Sequence, residues 1–370
     1  MILLNDFQRQ WKDTGERVLA AVAAVGESGW YVLGSRVQQF EEALAGIWRL
    51  PHAIGVANGM EAIEIALTAL GCGPGDKVLT TPLSAFATTL AILRVGATPV
   101  FVDTDSFGLI NLDFCRSTLS SRPDIRYFLP VHLYGNSLDM RALAEIRDRF
   151  EIKIVEDCAQ SILSTFDGVP AGTAGALAAT SFYPTKNLGG LGDGGAILTA
   201  DLALKQECST LRDYGQTEKY KHEKVGWNSR LDELQAAILG EVFLPCLAVW
   251  TARRRAIALR YLNEIRNPAV SCIGSCRPSE SSWHLFPVQV EPNLKGNFIG
   301  WLRFHEVGCG EHYPVPIHHQ NALQDRAFEV AGDCSTAEHI CASEVSLPIH
   351  PYLTDEEIEK VIDTTNNWRP

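Results

Sequence analysis

The chain has 370 residues, 46% of them hydrophobic and 21% charged, which are ordinary globular proportions with length enough for two domains and a large core. Its net charge of -12 excludes a general nucleic-acid binder, because phosphate neutralisation needs clustered Lys and Arg that the sequence lacks. The N-terminus Met1-Ile-Leu-Leu-Asn-Asp6 has no basic region ahead of an apolar run, and no later apolar run approaches membrane-spanning length, so a soluble, cytoplasmic protein with no membrane partner is expected.

In chain order, residues 17–26 read as a helix, and Ser28-Gly-Trp-Tyr-Val-Leu-Gly34 breaks it. Trp30 and Tyr31 there serve packing, a subunit contact or a ligand. Val37, Phe40, Leu44 and Ile47 mark a second, amphipathic helix. Ile54-Gly-Val-Ala-Asn-Gly59 reads as a strand entering a turn, followed by a helix with Ile63, Ala66, Leu67 and Leu70 on one face. Strand, glycine turn and helix start form a geometry that binds phosphate, since the first N–H groups of a helix are unpaired and sit at its positive end. Strands follow at Lys77–Thr81, Thr98–Asp103, Tyr127–Val131 and Lys153–Asp157, with helices at 84–95 and 139–150. This alternation predicts an α/β fold with a largely parallel sheet, helices on both faces and ligands beyond the carboxyl ends of the strands. Asp157 ends such a strand, where a carboxylate needs a positive partner unless it caps the next segment.

The stretch Ser181-Phe-Tyr-Pro-Thr-Lys-Asn-Leu-Gly-Gly-Leu-Gly-Asp-Gly-Gly195 sets Lys186 between a strand and a loop with five glycines in seven residues. Pro184 stops the strand, and the glycines let backbone approach a bound group. Lys186 is therefore either a turn lysine facing solvent or a nucleophile whose amine attacks a carbonyl. A helix over 202–214, a polar connection over 215–226 and a long helix opening at Trp227, capped by Asn228 or Ser229, come next. We expect two domains, residues 1–245 with an N-terminal arm and the larger sheet, and residues 246–370 with the end of the long helix and a smaller α+β unit. The latter carries alternation at Trp283–Val290, a short helix at 299–305, the segment His312-Tyr-Pro-Val-Pro-Ile-His-His319 and a C-terminal helix capped at Thr354. The interposed prolines and the absence of HExxH spacing argue against a metal at the histidines. Ten scattered cysteines without a CxxC, of which only Cys272 and Cys276 are close, fit reduced thiols.

Pyridoxal phosphate needs an amine, an anion site, a carboxylate against its pyridine nitrogen and a flat face for its ring. Lys186, the Asn58-Gly59 helix start, Asp157 and Phe86 offer those four things. Gly55–Asp103, Pro130–Gly135, Glu156–Gln160, Ser181–Thr199, Asn228–Ala237 and His312-Tyr-Pro314, in this order and spacing, resemble the DegT/DnrJ/EryC1/StrS sugar aminotransferases, fold-type I enzymes that use pyridoxal phosphate. The resemblance implies a homodimer with active sites at the interface and a large domain followed by a small one. It makes Lys186 the Schiff-base lysine, Asp157 the partner of the pyridine nitrogen, Gln160 a contact of the ring hydroxyl and Phe86 the stacking ring. Ser181 and the amides of Gly59 and Met60 would hold the phosphate, joined by Asn228 of the other subunit. Tyr183, His312 and Tyr313 would touch the nucleotide-linked sugar, and Arg230 either joins them or pairs with a nearby acid. Met60 stands where many members have Thr, and Leu83-Ser-Ala85 replaces the commoner Ala-Asn-Thr.

The expected activity is transfer of an amino group from glutamate to a nucleotide-linked keto sugar, most similar to members acting at C-3 of dTDP-3-keto-6-deoxyhexoses, with C-4 amination as the alternative. A sugar dehydratase of this family has histidine at the lysine position, and a non-catalytic regulatory homologue would not need all four cofactor roles.

Overall fold

Eight strands build the central sheet in the computed structural model, which describes residues 1–275 and 278–370. In chain order they are β1 (His52–Val56), β2 (Lys77–Thr80), β3 (Thr98–Phe101), β4 (Tyr127–Phe128), β5 (Lys153–Asp157), β6 (Leu177–Ser181), β7 (Gly195–Thr199) and β8 (Glu329–Val330). They lie in the order β1-β7-β6-β5-β4-β2-β3-β8. Strand β7 runs antiparallel to both neighbours, and the remaining pairs are parallel. Residues Ile54, Val78, Val100, Phe128, Ile154, Val155 and Ile197 are fully buried, as expected for a sheet covered by helices on both faces. The α/β fold with a mostly parallel sheet is thus the one expected.

A second apolar cluster gathers around the antiparallel strands Ser271–Cys272, Phe286–Gln289 and Glu344–Leu347. Tyr261 of the helix Leu247–Glu264 meets Phe286 at 4.9 Å between ring centroids, and Phe298 meets Trp368 at 4.7 Å. Ile2 from the N-terminus is buried in this same cluster, held by its N–H on Glu306 O at 2.7 Å. The C-terminal helix Asp355–Asn367 has the capping box expected at Thr354, with Glu357 as its reciprocal partner. Nine cysteines are free thiols, and Cys276 lies outside the described residues.

Two sequence expectations need correction. The long helix opens at Glu233, with Asp232 as its N-cap, and not at Trp227 with Asn228 or Ser229 as cap. Ser229 is fully buried and its Oγ accepts from Ala57 N–H at 3.1 Å, so its cap capacity serves the turn that leaves β1. Glu233 does its work on another helix, accepting from the N–H groups of Gly34, Arg36 and Val37 at the start of Ser35–Trp48. A carboxylate there meets unpaired donors at the positive end of the helix. The second correction is that Glu233–Glu264 is long and apolar enough to cross a membrane by length and composition, with a window of mean hydropathy 1.6 that is 50% buried. Pro245 interrupts it, and its buried face, including Leu239, Val242, Phe243 and Leu247, belongs to the same cluster as Val18, Val25, Phe40 and Leu44 of the first two helices.

One buried carboxylate fixes the carboxyl end of β5. Glu156 accepts from the N–H groups of Gly172 (2.9 Å), Ala174 (2.8 Å) and Gly175 (2.7 Å) and contacts His132 Nε2 at 2.8 Å. Leu138 N–H donates to His132 Nδ1 at 3.1 Å, so the ring proton sits on Nε2 and points at the carboxylate. Four donors on one buried acid explain how Glu156 tolerates full burial, and they hold the strand end on which Asp157 sits.

Candidate active site

The carboxyl ends of β5 and β6 bring the sequence candidates together. Beyond β6 the chain leaves Ser181, and Lys186 closes a turn through its N–H on Tyr183 O at 2.8 Å. Phe182 and Gly194 then pair as the loop returns into β7 (2.8 Å). The Lys186 amine is pushed down to about 8 by burial, with the negative charge of Asp157 acting in the opposite direction. A turn lysine facing solvent would not be desolvated in this way.

Asp157 is 5% exposed. Its Oδ2 accepts from Thr88 Oγ1 at 2.8 Å and its Oδ1 from Ala159 N–H at 3.1 Å. Among the described residues no Lys or Arg side chain forms an ion pair with it. A buried carboxylate with neutral donors only is an acceptor for one more positive group, and the protonated nitrogen of a pyridine ring is such a group. The N-cap alternative is met in part, since the Ala159 amide is a local turn contact. Thr88 was not singled out by the sequence, where Ser84 and Thr88 are simply polar residues four apart. They bond to each other at 2.8 Å, and Thr88 carries the chain on to Asp157. Phe86 is the first residue of the same helix, Phe86–Arg94, half-buried against the cluster of Phe101, Ile317 and Leu323.

The anion cradle is a contact between two distant segments. A Cβ added to Gly59 would lie 2.7 Å from the Ser181 Cβ, and one added to Gly195 would lie 2.5 Å from the Asn58 carbonyl carbon. Glycine at both positions lets the helix start Gly59–Ala69 touch the end of β6 and the start of β7. Asn58 caps that helix by accepting from Glu61 N–H at 2.9 Å. Among the described residues the N–H groups of Gly59 and Met60 have no protein partner, and the Ser181 hydroxyl stands beside them. Two free helix-start amides and a hydroxyl fit a phosphate.

His312 and Tyr313 arrive from a segment far along the chain, and Tyr313 packs against the large apolar cluster. Tyr313 Oη accepts from Gln160 Nε2 at 3.1 Å, while Gln160 Oε1 accepts from Tyr134 N–H at 2.7 Å. Gln160 thus ties Tyr134 to Tyr313 and keeps one amide N–H spare. Tyr134 Oη donates to His312 O at 2.6 Å. Burial, helped by the charge of Lys186, pushes the His312 imidazole down to about 4, so it is neutral near pH 7. The next histidines of the segment turn elsewhere: His318 Nε2 and His319 Nε2 lie 3.0 and 3.5 Å from Glu338 Oε1. The three side chains place one possible ligand atom each within 4.8 Å of one another, at the surface.

Sequence reading also passed over His284, which sits in the apolar alternation of Trp283–Val290. Its Nδ1 lies 3.3 Å from Asn187 Oδ1, and burial together with the charges of Lys186 and Arg254 holds it neutral. Asn187 in turn donates to Ser282 O at 3.0 Å, which fixes the residue next to Lys186. Arg230 is occupied by Asp213 at 2.9 Å and lies 5.1 Å over the Tyr214 ring, the arrangement weighed against a sugar contact. Tyr183 is 53% exposed. Asn228 is exposed too, in a bridge to Asp213, and among the described residues its side chain makes no hydrogen bond to Gly59, Met60 or Ser181.

A profile described as the DegT/DnrJ/EryC1/StrS aminotransferase family matches residues 12–366. The chain is similar to the dTDP-3-amino-3,4,6-trideoxy-alpha-D-glucose transaminase of Streptomyces venezuelae, at 38% identity over 98% of this chain and 95% of that protein. It is also similar to a protein of Geobacillus stearothermophilus named pleiotropic regulatory protein, at 35% identity over 97% and 96% of the two chains. Among solved structures it superimposes on S. venezuelae DesV in complex with a ketimine intermediate, with a TM-score of 0.94, 38% identity and coverage of 99% and 98%.

Proposed function

Since the chain belongs to the DegT/DnrJ/EryC1/StrS aminotransferase family, whose cofactor is pyridoxal phosphate, we propose that it transfers an amino group from glutamate to C-3 of a dTDP-linked 3-keto-6-deoxyhexose. The observation that carries this reading is Lys186, desolvated and set against the unpaired carboxylate of Asp157. The similarity to a dTDP-3-amino sugar transaminase supports position C-3. The similarity to a protein named as a regulator is outweighed by the retained lysine and carboxylate, which regulation does not need and amino transfer does. Histidine in place of Lys186 would favour dehydration of the sugar, and this chain has lysine.

When bound, pyridoxal phosphate supplies an aldehyde for amines and a ring that accepts electrons. The residues of this chain do the rest. Lys186 would hold the cofactor through its amine and, with that amine free, would move a proton to and from the substrate carbon. Asp157, its two oxygens fixed by Thr88 and Ala159, would hold a proton on the pyridine nitrogen. The Gly59 and Met60 amides and the Ser181 hydroxyl would hold the phosphate, Phe86 would cover the ring, and Gln160 has a spare N–H that would serve the ring hydroxyl. Tyr183, His312 and Tyr313 bind the nucleotide sugar. Asn228 would reach the phosphate from a second copy of the chain in a homodimer. Exposed apolar side chains near these loops, Trp30 (62%), Tyr220 (80%) and Val225 (95%) among them, support such an interface. The setting we infer is the cytoplasm.

The Lys186 amine accepts a proton only when neutral, so with its pKa near 8 the proton-transfer rate should climb as pH rises through that value and level off above it. Single-turnover rates of keto-sugar amination by enzyme carrying the amine form of the cofactor should rise about tenfold between about pH 7 and about pH 9. A rate that fell over that interval would remove Lys186 from the role of base.

A further inference from the structure

We propose that Glu344 and Ser346 set the tautomer of His312, and through it decide whether this histidine accepts or donates a hydrogen bond toward the bound sugar. Both residues lie on the strand Glu344–Leu347 with side chains two apart, fully buried and directed to one side. Glu344 Oε2 accepts from His312 N–H at 2.7 Å. Its other oxygen, Oε1, bonds the Ser346 hydroxyl, and Ser346 Oγ lies 2.9 Å from His312 Nδ1. The chain of contacts is therefore carboxylate, hydroxyl, imidazole. Among the described residues no protein group bonds the far nitrogen, Nε2, and the ring feels the charge of Lys186.

A hydroxyl has one proton to give, and this fixes the logic. With Glu344 ionised, Ser346 donates to the carboxylate and Oγ must accept from His312, which puts the ring proton on Nδ1. Nε2 is then a bare acceptor for a sugar hydroxyl. With Glu344 protonated on Oε1, the carboxylic acid donates to Ser346, Ser346 donates to Nδ1, and the ring proton moves to Nε2, which becomes a donor. The ring stays neutral in both arrangements, because burial holds it at about 4.

Burial raises the Glu344 carboxyl to about 7, against the hydrogen bonds of Ser346 and of the His312 amide and the charge of Lys295. The groups facing the relay come from several elements. Lys295 of the helix Lys295–Phe304 pairs with Glu311 at 2.7 Å and donates to Cys341 O. Tyr134, Tyr313, Cys309 and Cys341 feel the Glu344 charge, and His284 faces His312. As pH falls through about 7 the relay passes from the accepting to the donating form. Glu344 and Ser346 are positioning residues, since neither touches the substrate. The sugar side of the argument rests on the proposed function, whereas the tautomer does not.

The experiment is nitrogen-15 NMR of histidine-labelled holoenzyme, with the His312 signals assigned by their loss in His312→Gln. Wild type should show Nδ1–H at about pH 8.5 and Nε2–H at about pH 5.5. Glu344→Gln keeps an oxygen for the His312 amide and offers N–H to Ser346, so it should show Nε2–H at both pH values. Ser346→Ala should remove the pH dependence, and Ser346→Thr should restore it. For the keto sugar, the Lys186 dependence on pH is common to both proteins, so the ratio of wild-type to Glu344→Gln kcat/KM should fall towards one as pH drops below about 7. A Glu344→Gln protein with the wild-type tautomer at both pH values would overturn the proposal, as would a wild type whose tautomer does not change. If no keto sugar were aminated, the spectra would still decide the tautomer, so failure of the relay and failure of the proposed function are separable.

Discussion

Lys186→Ala should abolish multiple-turnover amino transfer, lowering the rate by about 10³-fold or more, because one substitution removes both the covalent tether and the proton carrier. The variant should also lose the visible absorbance that marks attachment of the cofactor to a protein amine. Measuring steady-state transfer from glutamate to keto sugar alongside that spectrum checks both losses. The fold should survive, since the Lys186 side chain makes no hydrogen bond or ion pair to protein among the described residues. Wild-type turnover in Lys186→Ala would sink the assignment.

The second large effect is expected of Asp157→Asn. The substitution keeps the shape of the side chain. Its oxygen can still accept from Ala159 N–H, and its amide can donate to Thr88 Oγ1, so packing at the end of β5 is preserved. The charge is lost, and with it the means of holding a proton on the pyridine nitrogen. Removing one preorganised electrostatic partner of this kind costs about 10²–10³-fold in kcat. Asp157→Asn should therefore show kcat reduced on that scale with an unchanged midpoint of chemical unfolding. A kcat within about twofold of wild type would show that the carboxylate is not the nitrogen's partner.

These two residues were legible in the sequence for a physical reason. Lys186 and Asp157 each stand just past or at the end of a short apolar strand, where side chains leave the sheet and ligands bind, and local spacing reveals strand ends. The helix start at Gly59 was legible for the same reason. What gives these groups their properties was not. Thr88 on Asp157, Asn187 beside His284 and the Glu344–Ser346–His312 chain all join residues far apart in sequence, and a pattern of two or three residues does not reveal such partners. The cap expected at Asn228 or Ser229 failed similarly, because Ala57, just past the distant strand β1, claims the Ser229 hydroxyl. The apolar run Glu233–Glu264 was underestimated because its charged residues are sparse enough to leave one long, half-buried window.

The glycine loop has a divided role. Gly195 is the wall of the anion cradle, pressed against Asn58. The glycines before it shape the turn that follows Lys186, with Gly190 N–H returning to Phe182 O at 2.8 Å.

Amination at C-3 is tested most directly by product NMR. Enzyme, pyridoxal phosphate and glutamate incubated separately with a dTDP-3-keto and a dTDP-4-keto 6-deoxyhexose should yield a sugar bearing its new amine at C-3 from the first substrate, with 2-oxoglutarate formed in equal amount. Amine found only at C-4, from the second substrate, would contradict the account.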